Sequence, residues 1–456
     1  MQRIRPHLRF RWVPVLALFL GCAAFAATPG PQAEPGPAAP SFADLPPPRP
    51  PRKFDDAQIR AAGMRKLAGK HLTLYTDLGS NAAVDELPQI FDQAFPQWCA
   101  YFHCDPARLA DWRINGFLMG EQERFRQSKL LPADLPKFLH GYEVDYEIWV
   151  NEQTTDYYRR HLLLHEGTHA FMRTQFNSCG PPWYMEGLAE LLATHRWVDG
   201  KLTLGIMPDK KEDVPGWGRI KIVKDAFAKN QAHSLAQVLR FQPSQFLTTE
   251  PYGWSWAATA FFNGHPKYRD RFRDAVKDVD HRDFNARFQE RFKTDWPLVT
   301  EEWQLFIATL EYGYDFDRAA IDFQIGKPLA SAGGTATLRA DRGWQASGFV
   351  VEAGRKYRLR ASGRYQIAKL PKPWLSEANG VSLRYYRGHP LGLLLAAVHN
   401  DDAPPGAPSG LLQPIAVGLS QTIAPDRSGT LYFKINDSPA ELSDNSGGLS
   451  VEIVPE

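Results

Sequence analysis

Hydrophobic and polar positions follow two different rhythms along this chain, mixed and mostly helical before residue 326 and alternating after it. Residues 55–68 read as a helix. HLTLYTD, 71–77, alternates with the period of two that sends successive side chains to opposite faces of a strand. Residues 83–103 read as a long amphipathic helix carrying Phe91, Phe95 and Trp98. RINGFLMG, 113–120, is a second strand, a helix begins at Glu121, and GYEVDYEIWVN, 141–151, alternates again. The helical run RRHLLLHEGTHAFMRTQF, 159–176, comes soon after. Gly180-Pro181-Pro182 forces a turn, and 183–197 reads as the next helix. Helical spacing returns over 250–262 and 295–317.

Beyond Gly326-Lys327-Pro328 the segments KYRLRASG, SGTLYFKIND and GGLSVEIVPE alternate, with Leu431, Phe433 and Ile435 on one face and Tyr432 and Lys434 on the other. Short alternating stretches divided by Gly, Pro and Asn predict an all-β sandwich over 328–456. The expected fold class is α+β, with a mostly helical domain over 54–318 followed by the sandwich.

The first 26 residues stand outside this pattern. Arg3, Arg5, Arg9 and Arg11 precede the apolar run VPVLALFLGCAAFA, which is too short to span a bilayer comfortably. Ala24-Phe25-Ala26 has the form of a cleavage signal, so 1–26 is expected to direct export to the periplasm, the cell surface or the medium. Cys22, after Leu20-Gly21, offers a rival reading as a lipidated residue, the one route by which a membrane becomes a partner. Residues 27–53 are rich in Pro and Ala and are expected to form an extended spacer. Three cysteines remain after cleavage, Cys99, Cys104 and Cys179, so at least one is unpaired or pairs between molecules. The net charge of +2 with no long basic block gives no reason to expect a nucleic-acid partner.

The candidate chemistry lies in HEGTH, 165–169. Residues four apart share a helix face, so His165 and His169 present two imidazoles to one point. Imidazole is a good zinc ligand, and Glu166 is offset enough to miss the ion and reach a water beside it. A catalytic zinc site wants a third protein ligand and an open position. Glu186, in WYMEGLAELL just past the Pro turn, is placed to supply that ligand. Gly187 removes a side chain there and permits close helix approach. Glu190, one turn on, can accept the free ring N–H of a ligand His. His161 is four before His165, but it and His169 are about 12 Å apart along the axis and cannot share an ion. It reads as an outer support of the site or as a surface residue.

HEGTH followed by WYMEGLAE resembles the gluzincin metallopeptidases, and more closely the secreted bacterial peptidase MA-like proteins. The gap from His169 to Glu186 is slightly shorter than in aminopeptidase-N-type members. This resemblance covers about residues 54–315. It implies a zinc cofactor on His165, His169 and Glu186, Glu166 as general base, and a peptide or protein substrate. EPYGWSWAATAFF also resembles the family's downstream segment, which implies that Tyr252 donates to an oxyanion. The stretch 141–151 is a candidate for the strand that borders the cleft and pairs with substrate backbone.

The ending GLSQTIAPDRSGTLYFKINDSPAELSDNSGGLSVEI resembles a calcium-dependent bacterial galactose-binding lectin fold. That resemblance implies calcium held by Asp437, a backbone oxygen at Glu441, Asp444 and Asn445. Such a domain would direct a peptidase to glycosylated substrates. The alternative is a surface carbohydrate-binding or adhesion protein with a vestigial zincin domain. The lectin's sugar-contacting His-and-Gln loop has no counterpart around 370–390.

Overall fold

The computed structural model describes residues 45–456, so the export signal, Cys22 and the first part of the proline-rich segment lie outside the described residues. The chain opens with a sheet of five strands: β1 (Arg65–Ala68), β2 (Leu72–Thr76), β3 (Ile114–Met119), β4 (Gly141–Val144) and β5 (Glu147–Asn151), in the order β1-β2-β3-β5-β4. β2, β3 and β5 run parallel, and each end of the sheet carries an antiparallel strand. The expected helix over 55–68 is only Asp56–Ala61. Gly63, at φ 73°, ends it in a conformation that glycine alone adopts at little cost, and Arg65 then enters β1. The alternating stretch 141–151 is a hairpin rather than one strand, turning at Asp145-Tyr146 with Asp145 at φ 58°.

Two helices pack on this sheet, α1 (Leu87–Tyr101) and α2 (Asp156–Phe176). The side chain of Thr155 caps the start of α2 by accepting from Tyr158 N, and Asn177 closes its end in the left-handed region. Phe91, Phe95 and Trp98 of α1 are buried with Phe171 of α2 and Trp112 in one aromatic core. α3 (Pro182–Ala193) follows with Pro at its first turn, where the missing N–H costs nothing. It is shorter than the expected 183–197. His195–Val198 pairs with Lys201–Leu204 around Asp199-Gly200, whose φ values of 51° and 71° suit a two-residue hairpin turn. α4 (Arg219–Ala228), α5 (Glu250–Gly264) and α6 (Trp296–Thr309) are the longest of the helices that follow. No described helix is long and apolar enough to cross a membrane.

The C-terminal region is β-rich, and the described residues form one compact unit with it. One sheet runs in the order Asn379–Tyr386, His389–His399, Gly429–Ile435, Gln345–Val351, Lys327–Pro328. The other runs Trp374–Ser376, Tyr365–Ala368, Ser446–Pro455, Tyr357–Ser362, Ser420–Ile423. Leu431, Phe433 and Ile435 face the core between them. Tyr432 points the other way, into a smaller core with Leu305 of α6, Ile321 and Trp344. This explains the unbroken apolar run GLLLAAV: alternate residues of His389–His399 face the inter-sheet core and the helical region, and neither face meets water.

A polar clasp lies beside this second core. His399 Nδ1 stands 2.9 Å from Asp401 Oδ1, and Nε2 stands 2.9 Å from Glu301 Oε2 on α6. Ser409 also donates to Glu301, and Thr430 to Asp401. Carboxylates only accept, so the ring satisfies both when it is the doubly protonated imidazolium. Burial opposes that charge, but Glu301 and Asp401 outweigh it and raise the His399 pKa. A raised folded value means the contribution is complete below the ordinary His value near 6.5 and fades as pH climbs through the folded one. His399→Gln is therefore expected to lower stability by about 1–2 kcal/mol at pH 6 and far less at pH 9, as read by thermal unfolding.

The last part of the proline-rich segment is not a free spacer. In LPPPRPPRK, 45–53, proline cannot donate, and the N–H groups of Arg49 and Arg52 are taken by buried carboxylates, Asp145 and Glu147, at 3.1 and 3.2 Å. Both guanidinium groups bind the same carboxylates, Asn115 Nδ2 donates to Arg52 O (2.9 Å), and Arg173 donates to Pro46 O (2.6 Å).

Candidate metal centre

Helices α2 and α3 bring three donors to one point. His165 Nε2 and His169 Nε2 are 3.1 Å apart, and Glu186 Oε2 lies 3.2 Å from the first and 3.5 Å from the second. Tetrahedral zinc, with bonds of about 2.0–2.1 Å, holds its ligands roughly 3.3 Å apart. The three separations fit that edge length. All three residues are buried, and Glu186 Oε2 has no partner besides the two imidazoles, as suits an atom facing an ion. Two imidazoles and a carboxylate are also the donor chemistry zinc accepts.

The electrostatics of the cluster follow its burial. Burial alone would depress the His165 pKa, but hydrogen bonding to Glu186 and the charges of Glu190, Glu186 and Glu166 raise it to about 9. Burial alone would raise Glu186, yet the charges and hydrogen bonds of His169 and His165 bring it down to about 2. Glu166 is pushed up by burial, against the pull of His165 and His169. A carboxylate with a raised pKa is a better proton acceptor than a free one.

Close approach of the elements places these groups. α3 and α5 touch at Gly187, where a Cβ would sit 2.5 Å from Thr259 Cγ2 and 2.6 Å from Ser255 O, and Thr259 Oγ1 donates to Gly187 O (2.8 Å). The edge strand β4 passes beside Glu166, so closely that a Cβ on Gly141 would fall 2.3 Å from Glu166 Oε1. Among the described residues, no strand pairs with the outer side of β4. Glu143, two residues along, is a second carboxylate facing this site. Burial and the charge of Glu166 raise its pKa well above the usual range, and its Oε1 has no hydrogen-bond partner.

Glu190 lies one turn beyond Glu186, on the far side of His165, with Oε1 3.5 Å from His165 Nδ1. His161 is fully buried rather than at the surface. Its Nδ1 faces Ala193 O at 3.0 Å and its Nε2 faces Glu190 Oε2 at 3.2 Å. Tyr252, in the first turn of α5, has its ring centre 6.3 Å from that of His165, and Phe246 packs edge-on against it at 5.1 Å. Burial, with the nearby Glu186, Glu166 and Glu190, pushes the Tyr252 hydroxyl pKa up, which keeps it a donor.

Cys99, Cys104 and Cys179 are all free. Cys179 is buried with Sγ 3.6 Å from His169 O and is in neither of the two metal-capable groups. In the β-rich region, Asn445 Nδ2 donates to Asp437 Oδ2 (2.9 Å). The Glu441 backbone oxygen accepts from Asp444 N (3.2 Å), while its side chain binds Arg384. Asp444 Oδ1 and Asn445 Oδ1 have no hydrogen-bond partner.

Trp217 and Arg219, which reach Glu190 from nearly thirty positions away, had no sequence signal, and Glu143 had only its place in the stretch 141–151. A buried Arg or Trp that meets a distant carboxylate leaves no local pattern.

No protein-family model matches the chain, and no curated protein is similar to it. Among solved structures it is similar to the N-terminal domain of EclA, a PllA-like lectin. Identity is 20% and the TM-score 0.20, over 27% of this chain and 95% of that one. It is also similar to IMPa from Pseudomonas aeruginosa in complex with an O-glycopeptide, at 14% identity and TM-score 0.18, over 87% of this chain and 43% of that one. A second IMPa structure, of the metallopeptidase with T-antigen, gives 13% and 0.17. A metallopeptidase and a lectin-like domain thus both stand among the similar structures. TM-scores this low carry no inference about activity, which rests on the site.

Proposed function

We propose that this chain is an exported zinc-dependent peptidase. The observation that carries the reading is the convergence of His165 Nε2, His169 Nε2 and Glu186 Oε2 at tetrahedral spacing, with Glu166 beside them. When bound, zinc supplies a Lewis acid that polarises a peptide carbonyl and lowers the pKa of water. Glu166 takes the proton from the attacking water and passes it to the departing amine. Tyr252 donates its hydroxyl to the oxyanion. The free edge of β4 aligns the substrate backbone beside Glu166. The Glu190 carboxylate, with Oε1 3.5 Å from His165 Nδ1, favours a proton on Nδ1 by its charge and so leaves Nε2 as the ligand atom.

The substrate class is a peptide or protein, and the β-rich region is proposed to hold the enzyme near a glycosylated target. The test measures metal content and hydrolysis on wild type and Glu186→Ala, using matched peptides with and without an O-linked glycan. The wild type is expected to carry about one zinc per chain and to cleave. Glu186→Ala is expected to lose both properties. A wild type that holds no zinc, or a Glu186→Ala protein that holds as much, would overturn the reading.

A further inference from the structure

The donors around His165 form two sets rather than one. His165, His169 and Glu186 make the first, and His161, His165 and Glu190 make the second, one helical turn earlier. The sets share the His165 imidazole, which offers Nε2 to one and Nδ1 to the other. They differ in what fills them. In the first set a single carboxylate oxygen faces both imidazoles. In the second, His161 and His165 face different oxygens of Glu190, and those oxygens already accept from two further groups. Arg219 donates from Nε to Oε2 (3.0 Å) and from Nη2 to Oε1 (2.8 Å), and Trp217 Nε1 donates to Oε2 (3.1 Å). Arg219 is 6% exposed and Glu190 1%, so this pair is shielded from solvent. The fork of a guanidinium matches both oxygens of a carboxylate, and here it satisfies both oxygens of Glu190.

We propose that Arg219 is a positioning residue for the zinc site: it clamps Glu190 through both oxygens and so fixes the His165 imidazole with Nε2 aimed at the first donor set. The inference rests on the zinc-peptidase reading above. The same guanidinium lies 5.6 Å from the ring centre of Tyr252, so one cation touches both a ligand's support and the oxyanion donor. Its location explains how the chain reaches it. Arg219 is the first residue of α4, and Gly218 before it is left-handed at φ 66°. That bend brings Trp217 and Arg219 to the same carboxylate from either side of Gly218. Arg219 Nη2 also reaches Tyr158 OH on α2 at 3.5 Å, which fixes the guanidinium from a third side. Without the clamp, Glu190 is free to turn away from His165, and the His165 ring loses the carboxylate charge that faces its Nδ1.

The test uses the full chain as wild type, Arg219→Met, Arg219→Lys, Glu190→Gln and the Arg219→Met/Glu190→Gln pair. Zinc affinity is measured by competition with a chromogenic chelator, and ligand geometry by the visible absorption of the cobalt-substituted protein. Melting of the zinc-free forms confirms folding. Arg219→Met is expected to weaken zinc about ten- to a hundred-fold, the usual effect of removing a ligand's support, and to alter the cobalt spectrum. Arg219→Lys should fall between, because one ammonium cannot bind both oxygens at once. It also serves if Arg219→Met does not fold. The double variant should bind zinc no more weakly than the weaker single one, since both break one clamp.

Wild-type zinc affinity and cobalt spectrum in Arg219→Met, or in a folded Arg219→Lys where Arg219→Met does not fold, would overturn the inference alone. So would losses that add fully in the double variant. A wild type that binds no zinc would instead overturn the reading of the site on which the inference rests.

Discussion

Glu166→Gln is expected to lower peptide hydrolysis by about 10²–10⁴-fold, the usual contribution of a positioned general base, while zinc content stays at the wild-type level. The amide has the same shape as the carboxylate but cannot take a proton. Glu166 is not among the converging donors, so its loss should leave His165, His169 and Glu186 in place. It is also tightly confined, 6% exposed and pressed against the backbone of β4 at Gly141. The amide therefore has little room to swing out and admit a substitute base. Initial rates and metal analysis on the same preparation check both halves. Retained hydrolysis would show that the proton goes elsewhere, with Glu143 the neighbouring carboxylate to examine.

The second large effect is structural. Gly187→Ala is expected to destabilise the protein by about 1–3 kcal/mol, the usual cost of overpacking, and to weaken zinc binding as well. Helix propensity alone points the other way, since Ala is favoured over Gly inside a helix by about 1 kcal/mol. The sign of the result therefore separates the two causes. The added Cβ would meet the Thr259 methyl and the Ser255 backbone oxygen, and a backbone atom cannot rotate aside. α3 must lift away from α5, stretching the bond from Thr259 to Gly187 O. Glu186 is the adjacent residue, so the shift carries a proposed zinc ligand with it. Thermal unfolding with and without zinc measures both consequences.

The metal-centre geometry was legible in the sequence because it is local. A spacing of four puts His165 and His169 on one face, and a short turn then brings Glu186 back toward them. Gly187 was legible for the same reason, as a missing side chain that lets another helix approach beside Glu186. The contacts of Glu190 were only partly so. Its approach to His165 follows from one more helical turn, but its bonds to Trp217 and Arg219 depend on how a distant loop docks. His161 shows the limit of argument from spacing. Its distance from His169 excludes a shared ion, yet only the packed structure shows it buried against Glu190 rather than exposed. The strand patterns located the β-rich region, but not that the outward face of Tyr432 would pack on α6, because alternation alone does not say what covers each face. Asp199-Gly200 was a hairpin signal in plain sight, hidden by the helical spacing of the residues before it.

The anchoring of residues 45–53 gives the molecule a load path. A pull on the chain upstream of Leu45 would be met first where Arg173 and Asn177, at the end of α2, hold the carbonyls of Pro46 and Leu45. Next come the pairs of Arg49 with Asp145 and Arg52 with Glu147, both at the turn end of the hairpin whose outer strand borders Glu166. Tension on the leader, such as a surface attachment would apply, is thereby delivered to the rim of the cleft.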